Sequence, residues 1–555
     1  MSRFLRKEKR KQERGITLIA LITTIIVLLI LAGITIGAIT GSNGIIGQAQ
    51  SAKEETEISQ EKEIIDISTV EAMGKNNRGN LEEEEFQSVL NSHTNGNVTV
   101  SDIGEEFEVF FEESNRYYTV DKDGNILDYI EGASDKYPGD ITRKEDGTVL
   151  DGSEDNPYEI NCIEDLVAFS NMVNGTGKVF QNGQMIDAKD AKQIGNESTI
   201  ILTKNLDFKS SASYINSQRT DFGDINGDDN DGNTLITEMT NENGTGFPPI
   251  NMNISFIFDG KGYTISNIYE KNRVAVKGLG LFGNLKGYNV TIQNLTVEGK
   301  IDNQLESESN YSATGGIVGT IWGTGNNARI YNCKSNVEIF ANGYGTAGII
   351  GNAPLNNIDI INCTNTGKIN NLSQSTGGIA GIIECTTAHI QNCYNTGEIS
   401  STGQVAGGIL GNTYGGDIII ENVYNRGEIS KNGARGRGGI LGMQTNGSQC
   451  SIKNAYNMGK IIEQNVNWTY SFGAIVGRTE NENLLNIENC YYLQDSCSKE
   501  VGYSSTDFAG ITSLENIKGE EIMEEFNSYI NSNGLKEEGW KEWTLGDDGY
   551  PTLEE

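Results

Sequence analysis

The chain has 555 residues, with 42 Lys and Arg against 76 Asp and Glu, a formal net charge of −34. That balance argues against nucleic-acid binding, which needs basic patches to neutralise phosphate, and suits a repulsive surface turned to the cell exterior. Two histidines, His93 and His389, are too few for a zinc site or a histidine-based triad, and 68 Gly beside 6 Pro point to many tight turns at positive φ.

In chain order, a basic leader (1–15) carries Arg3, Arg6, Lys7, Lys9, Arg10, Lys11 and Arg14. From Ile16 to Ile39, 24 residues follow without a charge. As a helix this run spans roughly 36 Å, enough to cross the lipid of a membrane. The basic flank predicts a single pass, with a cytoplasmic N-terminus and the bulk of the chain outside. A charged helix over 48–73 continues it, with Ile58, Ile64, Ile65 and Val70 as a weak apolar stripe, so that 16–75 read as one long helix. A helix over 81–90 and strands at 107–110, 117–120 and 126–130, the last two joined at Asp123-Gly124, predict a small α+β head over 76–130. Residues 131–157 are polar, with Gly, Asp, Ser and two Pro, and read as a linker.

Arg14-Gly15-Ile16-Thr17-Leu18-Ile19 behind a basic leader resembles the class III signal of type IV prepilins, and the resemblance spans about residues 6–75. It implies that a prepilin peptidase cuts between Gly15 and Ile16 and methylates the new terminus, and that the apolar helix is both anchor and packing stem among other pilin-like subunits. Residues 45–130 resemble the small head of that family. Its members usually carry Glu at the fifth mature position; this chain has Ala20, as in minor, tip-type pseudopilins.

Beyond the linker the sequence repeats. Gly315-Gly316-Ile317-Val318-Gly319, Ala347-Gly348-Ile349-Ile350-Gly351, Gly377-Gly378-Ile379-Ala380-Gly381, Gly407-Gly408-Ile409-Leu410-Gly411 and Gly438-Gly439-Ile440-Leu441-Gly442 share one pattern. Looser copies stand at 279–283 and 473–477. The final glycines are 36, 32, 30, 30, 31 and 35 residues apart. An Ile-x-Asn-Cys block follows each of these copies from Ile330 onward, with Val423 or Ala455 twice replacing Cys, and then, after most, a Gly-x-Ile block. Three strand-like segments per ~30 residues predict one turn of a parallel β-solenoid whose turns stack about 4.8 Å apart. Asn332, Asn362, Asn392, Asn422, Asn454 and Asn489 then form a ladder, since Asn tolerates the left-handed conformation and stacked amides hydrogen-bond along the axis.

These blocks resemble the GLUG repeat of bacterial surface proteins over 279–492. Residues 156–170 and 256–265 resemble the module that often opens such arrays, and Trp543 with Gly549-Tyr550-Pro551-Thr552-Leu553 the usual closing segment. The expected division is an opening module over 158–278, repeats over 279–497 and a C-terminal cap over 498–555 protecting the last coil's edge. No Leu-Pro-x-Thr-Gly sorting motif closes the chain, so the N-terminal helix is the expected anchor.

Candidate chemistry is sparse. Cys333, Cys363, Cys393 and Cys490 share a slot with Val423 and Ala455, which marks a small buried apolar position and free thiols; Cys490–Cys497 is the local exception to consider. Asp224, Asn226 and Asp228 place oxygens at alternate positions, as Ca²⁺ requires, but Asp229 stands where a calcium loop has Gly and Leu235 where it has Glu. An acidic surface loop is the other reading. Tyr394, Tyr424, Tyr456 and Tyr491 share a slot: exposed, they would be a sugar platform; buried, a structural ladder. Glu398 and Glu428, flanked by Lys368 and Lys460, read as edge-protecting charge on a flat face.

The sequence therefore predicts a mainly β protein: a parallel β-solenoid of roughly ten coils, about 50 Å long, behind a transmembrane pilin-like helix and a small α+β head. The expected role is non-enzymatic adhesion or surface recognition of a glycan or a host or cell-surface protein, at a pilus-like tip. Rival readings are a surface polysaccharide lyase or hydrolase on a β-helix, and a minor pseudopilin of a type II secretion or DNA-uptake machine.

Overall fold

The computed structural model describes residues 45–554 except 76–80, 95–97, 103–105, 112–115, 132–138, 145–147, 182–183, 209–245, 273–276, 305–311, 431–434, 463–470 and 505. The predicted membrane run, Ile16–Ile39, lies outside these residues. Among the described residues no helix is long and apolar enough to cross a membrane. The chain forms two compact units, divided at Gly132.

In the first unit, helix α1 (Ile45–Lys75) and helix α2 (Glu83–Thr94) accompany a four-stranded antiparallel sheet of β1 (Val98–Asp102), β2 (Glu106–Phe111), β3 (Arg116–Asp121) and β4 (Ile126–Glu131). Sequence reading missed β1, a short strand with only two inward apolar residues, Val98 and Val100. The expected stripe on α1 needs correction. Its buried face is Glu61, Ile65, Ser68, Thr69 and Ala72, at helical spacing, while Val70 is 73% exposed. A carboxylate faces inward because it has partners there: Arg116 Nη1 donates to Glu61 Oε2 at 3.2 Å and Tyr118 Oη at 2.6 Å.

The second unit is a parallel β-solenoid. One coil shows its plan. Strands Ser375–Gly377, Ala380–Ile383, Thr387–Gln391, Tyr394–Asn395 and Ile399–Ser401 follow in order, each pairing in parallel with its copies in the neighbouring coils. The coil thus has five short segments and not three; the extra corners come from Gly and Asn inside the blocks. A Cβ on Gly377 would run into the Ala380 carbonyl oxygen, so only glycine permits the tight fold-back there. The six ladder asparagines all hold φ between 50° and 54°, and Asn294 at 52° begins the ladder one coil earlier. Asn392 Nδ2 donates to Asn362 Oδ1 at 3.0 Å and Asn422 Nδ2 to Asn392 Oδ1 at 2.8 Å.

Inside, Ile292, Ile330, Ile360, Ile390, Ile420, Ile452 and Ile487 stack in register, and a second column runs Ile317, Ile349, Ile379, Ile409, Ile440, Ile475. The expected ten rungs occur on one side only, where Tyr158, Ile200 and Phe258 precede the first column. The shortest side has seven strands, so about seven turns are closed all round. Residues 139–157, read as linker, send Ile141 and Leu150 into this core. Helix α3 (Ile163–Asn174) is buried from Ile163 to Met172, with Phe169 stacked on Phe258 and Ser170 Oγ donating to the Pro248 carbonyl.

The C-terminal segment divides its contacts: near its start Val501 bridges Val476 on the last coil, and Ala474 N and Ile475 N donate to the Lys499 and Glu500 carbonyls. The last long strand, Leu485–Leu493, is paired by Ile511–Leu514, while helix α4 (Glu520–Ser532) and the chain to Leu553 pack along the flank of the coils that carry the tyrosines.

Candidate functional site

The tyrosines are the site candidates the structure places most clearly, and it places Tyr394, Tyr424 and Tyr456 under the cap. Their rings stack at 4.6 and 5.0 Å, nearly parallel. Trp543 and Phe526 cover them, Tyr424 Oη pairs with Thr552 Oγ1 at 2.9 Å and Tyr456 Oη donates to the Pro551 carbonyl at 2.7 Å. Burial pushes these hydroxyls well above the usual tyrosine range. Tyr491 is partly buried against Phe526. The exposed sugar platform is thus replaced by a covered ladder, because α4 supplies the apolar face that the rings need. Cys333, Cys363, Cys393 and Cys490 are free, buried thiols, and burial pushes the Cys490 thiol up to about 12. Glu398 accepts from Lys368 at 2.8 Å on an exposed edge. Gly15, Ile16, Asp224, Asn226 and Asp228 lie outside the described residues. Among the described residues no cluster of three metal-ligating side chains occurs.

A groove that sequence reading missed runs along another flank. The fold-back at Gly377 and its copies separates two short strands per coil, and the residues at their outer ends form two facing columns. One wall has Gln374, Gln404 and Arg435, which precede the in-register residues Ser375, Val405 and Gly436. The other has Tyr414, Thr445 and Glu480, which follow Thr413, Gln444 and Thr479. Ser375, Val405, Asn412 and Met443 make the floor of a cavity of about 350 Å³. Toward the N-terminus the same columns carry Lys277 and Trp322, and the ammonium bridges them, 3.8 Å from the indole centre.

Four features make this cavity fit for recognition. Tyr414 is 39% exposed. No hydrogen bond holds the side-chain amides of Gln374 and Gln404 among the described residues. Asn412 lines the floor; its Oδ1 accepts from Thr413 N at 3.0 Å, and its Nδ2 makes no hydrogen bond among the described residues. Arg435 and Glu480 put one charge of each sign on opposite walls, and Glu480 Oε2 accepts from Asn446 N at 3.1 Å. The signal in the sequence is the slot three residues ahead of each Gly-rich block, which changes from Tyr344 to Gln374, Gln404 and Arg435 while the Gly-rich block itself keeps its pattern.

No protein-family model matches the chain, and no curated protein matches it. Among solved structures, a candidate immunoglobulin A1 protease from Bacteroides ovatus aligns with 73% of this chain and 95% of its own, at 20% identity and a TM-score of 0.38. A likeness of that size carries no argument about function. What fold and groove define together is a repeat-built parallel β-solenoid with a polar, aromatic-lined flank.

Proposed function

We propose that this chain is a non-enzymatic cell-surface recognition protein, an adhesin whose solenoid presents the Gln374–Glu480 groove outward. The observation that carries this reading is the groove itself: a concave site with uncommitted amides on its walls and floor and an open tyrosine. The anchor is the Ile16–Ile39 helix in the membrane, with the N-terminus cytoplasmic. A prepilin peptidase matures the chain between Gly15 and Ile16, and Ala20 suits a tip position beside other pilin-like subunits. The repeats are of the GLUG kind. Support for these parts comes from the leader, the apolar run and the repeat blocks in the sequence.

The test is attachment of cells that display the full chain. Tyr414→Ala and Gln404→Ala change exposed side chains and should leave the fold intact while lowering attachment about tenfold. Unchanged attachment would remove the groove from the reading. Mass spectrometry of the cell-associated protein should find a methylated Ile16 start; an intact Met1 or Ser2 start would leave a plain membrane-tethered solenoid. Turnover of a captured ligand would overturn the non-enzymatic part.

A further inference from the structure

We infer that the groove takes a neutral, hydroxyl-rich sugar chain lying along the solenoid axis; this rests on the recognition reading above and names its ligand. The two walls repeat with the coil, about 4.8 Å, comparable with the length that one pyranose ring adds to an extended chain. Gln374 and Gln404 therefore offer the same group to successive sugars. Each amide brings one acceptor and a two-proton donor, a set that pairs with neighbouring hydroxyls, which both donate and accept. Tyr414, on the opposite wall, supplies the flat apolar surface that the C–H face of a pyranose covers.

The floor adds an independent pointer. Asn412 lines the cavity, and its Nδ2 makes no hydrogen bond among the described residues while Oδ1 is taken by Thr413 N. A ligand oxygen reaching the floor therefore meets a donor that no protein group has claimed. The charges select against a polyanion: Arg435 is balanced by Glu480 across the groove, and the next rungs are amides and hydroxyls. The volume of about 350 Å³ is that of a short oligosaccharide segment and not of a protein interface. Apart from Tyr414, the exposed part of the lining has no large apolar anchor of the kind a protein partner would grip.

The test is calorimetric titration of the full chain, held in a detergent without a sugar headgroup, with cellotetraose, xylotetraose, mannotetraose and, as the charged counterpart, tetragalacturonate. At least one neutral tetrasaccharide should bind, and tetragalacturonate should bind at least about tenfold more weakly. Tyr414→Ala and Gln404→Ala should each weaken the neutral ligand about tenfold, while Tyr288→Ala, a 71% exposed tyrosine outside the lining, should not. Binding by none of the neutral chains, equal or tighter binding of tetragalacturonate, or wild-type affinity in both groove variants would overturn the assignment. If the same variants lose cell attachment but no sugar binds, the recognition reading stands and the sugar assignment alone falls.

Discussion

At each coil's corner one asparagine combines a backbone conformation that most side chains resist with an amide that joins its coil to the next. Asn422 is the fullest case. Its φ is 54°; Nδ2 donates to Asn392 Oδ1 and the Lys541 carbonyl, and Oδ1 accepts from Asn454 Nδ2 and Trp543 Nε1. The left-handed conformation costs an alanine about 1–2 kcal/mol, and each buried partner left unmade adds about 1–3 kcal/mol. Asn422→Ala should therefore cost at least about 3 kcal/mol in chemical unfolding. Asn422→Gly, which keeps the turn, should cost less. Asn332 sits exposed on the same ladder, so Asn332→Ala should stay nearer the backbone term. Equal effects at the two rungs would show that the amide network adds nothing. Glu270 poses the opposite case. It is fully buried, burial raises its carboxyl to about 8, and Gly280 N on Oε2 only partly offsets this. Glu164, pushed to about 7, acts in the same sense. A raised folded value means the folded state holds its proton longer than the unfolded one. Stability is then complete below 4.5, falls as pH rises, and levels off above about 8. Glu270→Gln should flatten that fall in a series of melting temperatures, with little change at the acid end; an unchanged slope would remove Glu270 as its source.

Among the elements, the C-terminal cap shows how sequence and packing divide the information. The slot that holds Tyr394, Tyr424, Tyr456 and Tyr491 holds Lys334 and Thr364 in the preceding coils. The aromatic run is confined to the flank where α4 and Trp543 pack. Trp543 is the centre of that contact: its ring stacks on Phe526 at 4.5 Å and meets Tyr424 and Tyr456 at 5.8 and 5.6 Å. Trp543→Ala should cost about 3–5 kcal/mol, and should act locally. Hydrogen exchange should quicken across α4 while the Ile360–Ile452 rungs stay protected; uniform loss would mean that cap and coils unfold as one unit. The tyrosines could be read from the sequence as a column, exposed or buried, but the choice could not be made there, since the covering helix lies in a later segment with no repeat to align it. The same limit hid the buried face of α1, where Glu61 reads as solvent-facing until Arg116 and Tyr118 arrive from another strand. The coil, by contrast, was legible because its contacts are with copies of itself: one period reveals each Ile, Asn and Gly partner. The groove fell between these cases. Its frame repeats, but Gln374, Tyr414 and Arg435 are the positions where the repeat varies, and only the facing of two columns gives them meaning.

At the scale of the whole molecule, the solenoid behaves as a stack in which each coil meets chiefly its two neighbours, so its stability should be close to a sum over coils and interfaces. The cap and the groove break that uniformity, and they do so over defined coils. Deleting residues 327–356 joins Asn326 to Asn357, the in-register partner of Asn327. That removes one coil but keeps every tyrosine under the cap and every residue of the Gln374–Glu480 groove. Deleting 387–416 joins Thr386 to Asp417, the partner of Thr387. It also removes one coil, yet it takes away Tyr394, Asn392, Gln404, Asn412 and Tyr414 and brings Thr364 next to Tyr424. If coils were interchangeable, the two deletions would lower the denaturation midpoint equally. The cap's dependence on its column predicts otherwise: the first variant should lose about one coil's share and keep α4 protected, whereas the second should lose more and expose α4 to limited proteolysis. Only the first should retain attachment. Equal midpoints with α4 intact in both would mean that the cap holds to the coil frame through backbone and asparagine contacts, and that the aromatic column serves packing within the stack alone.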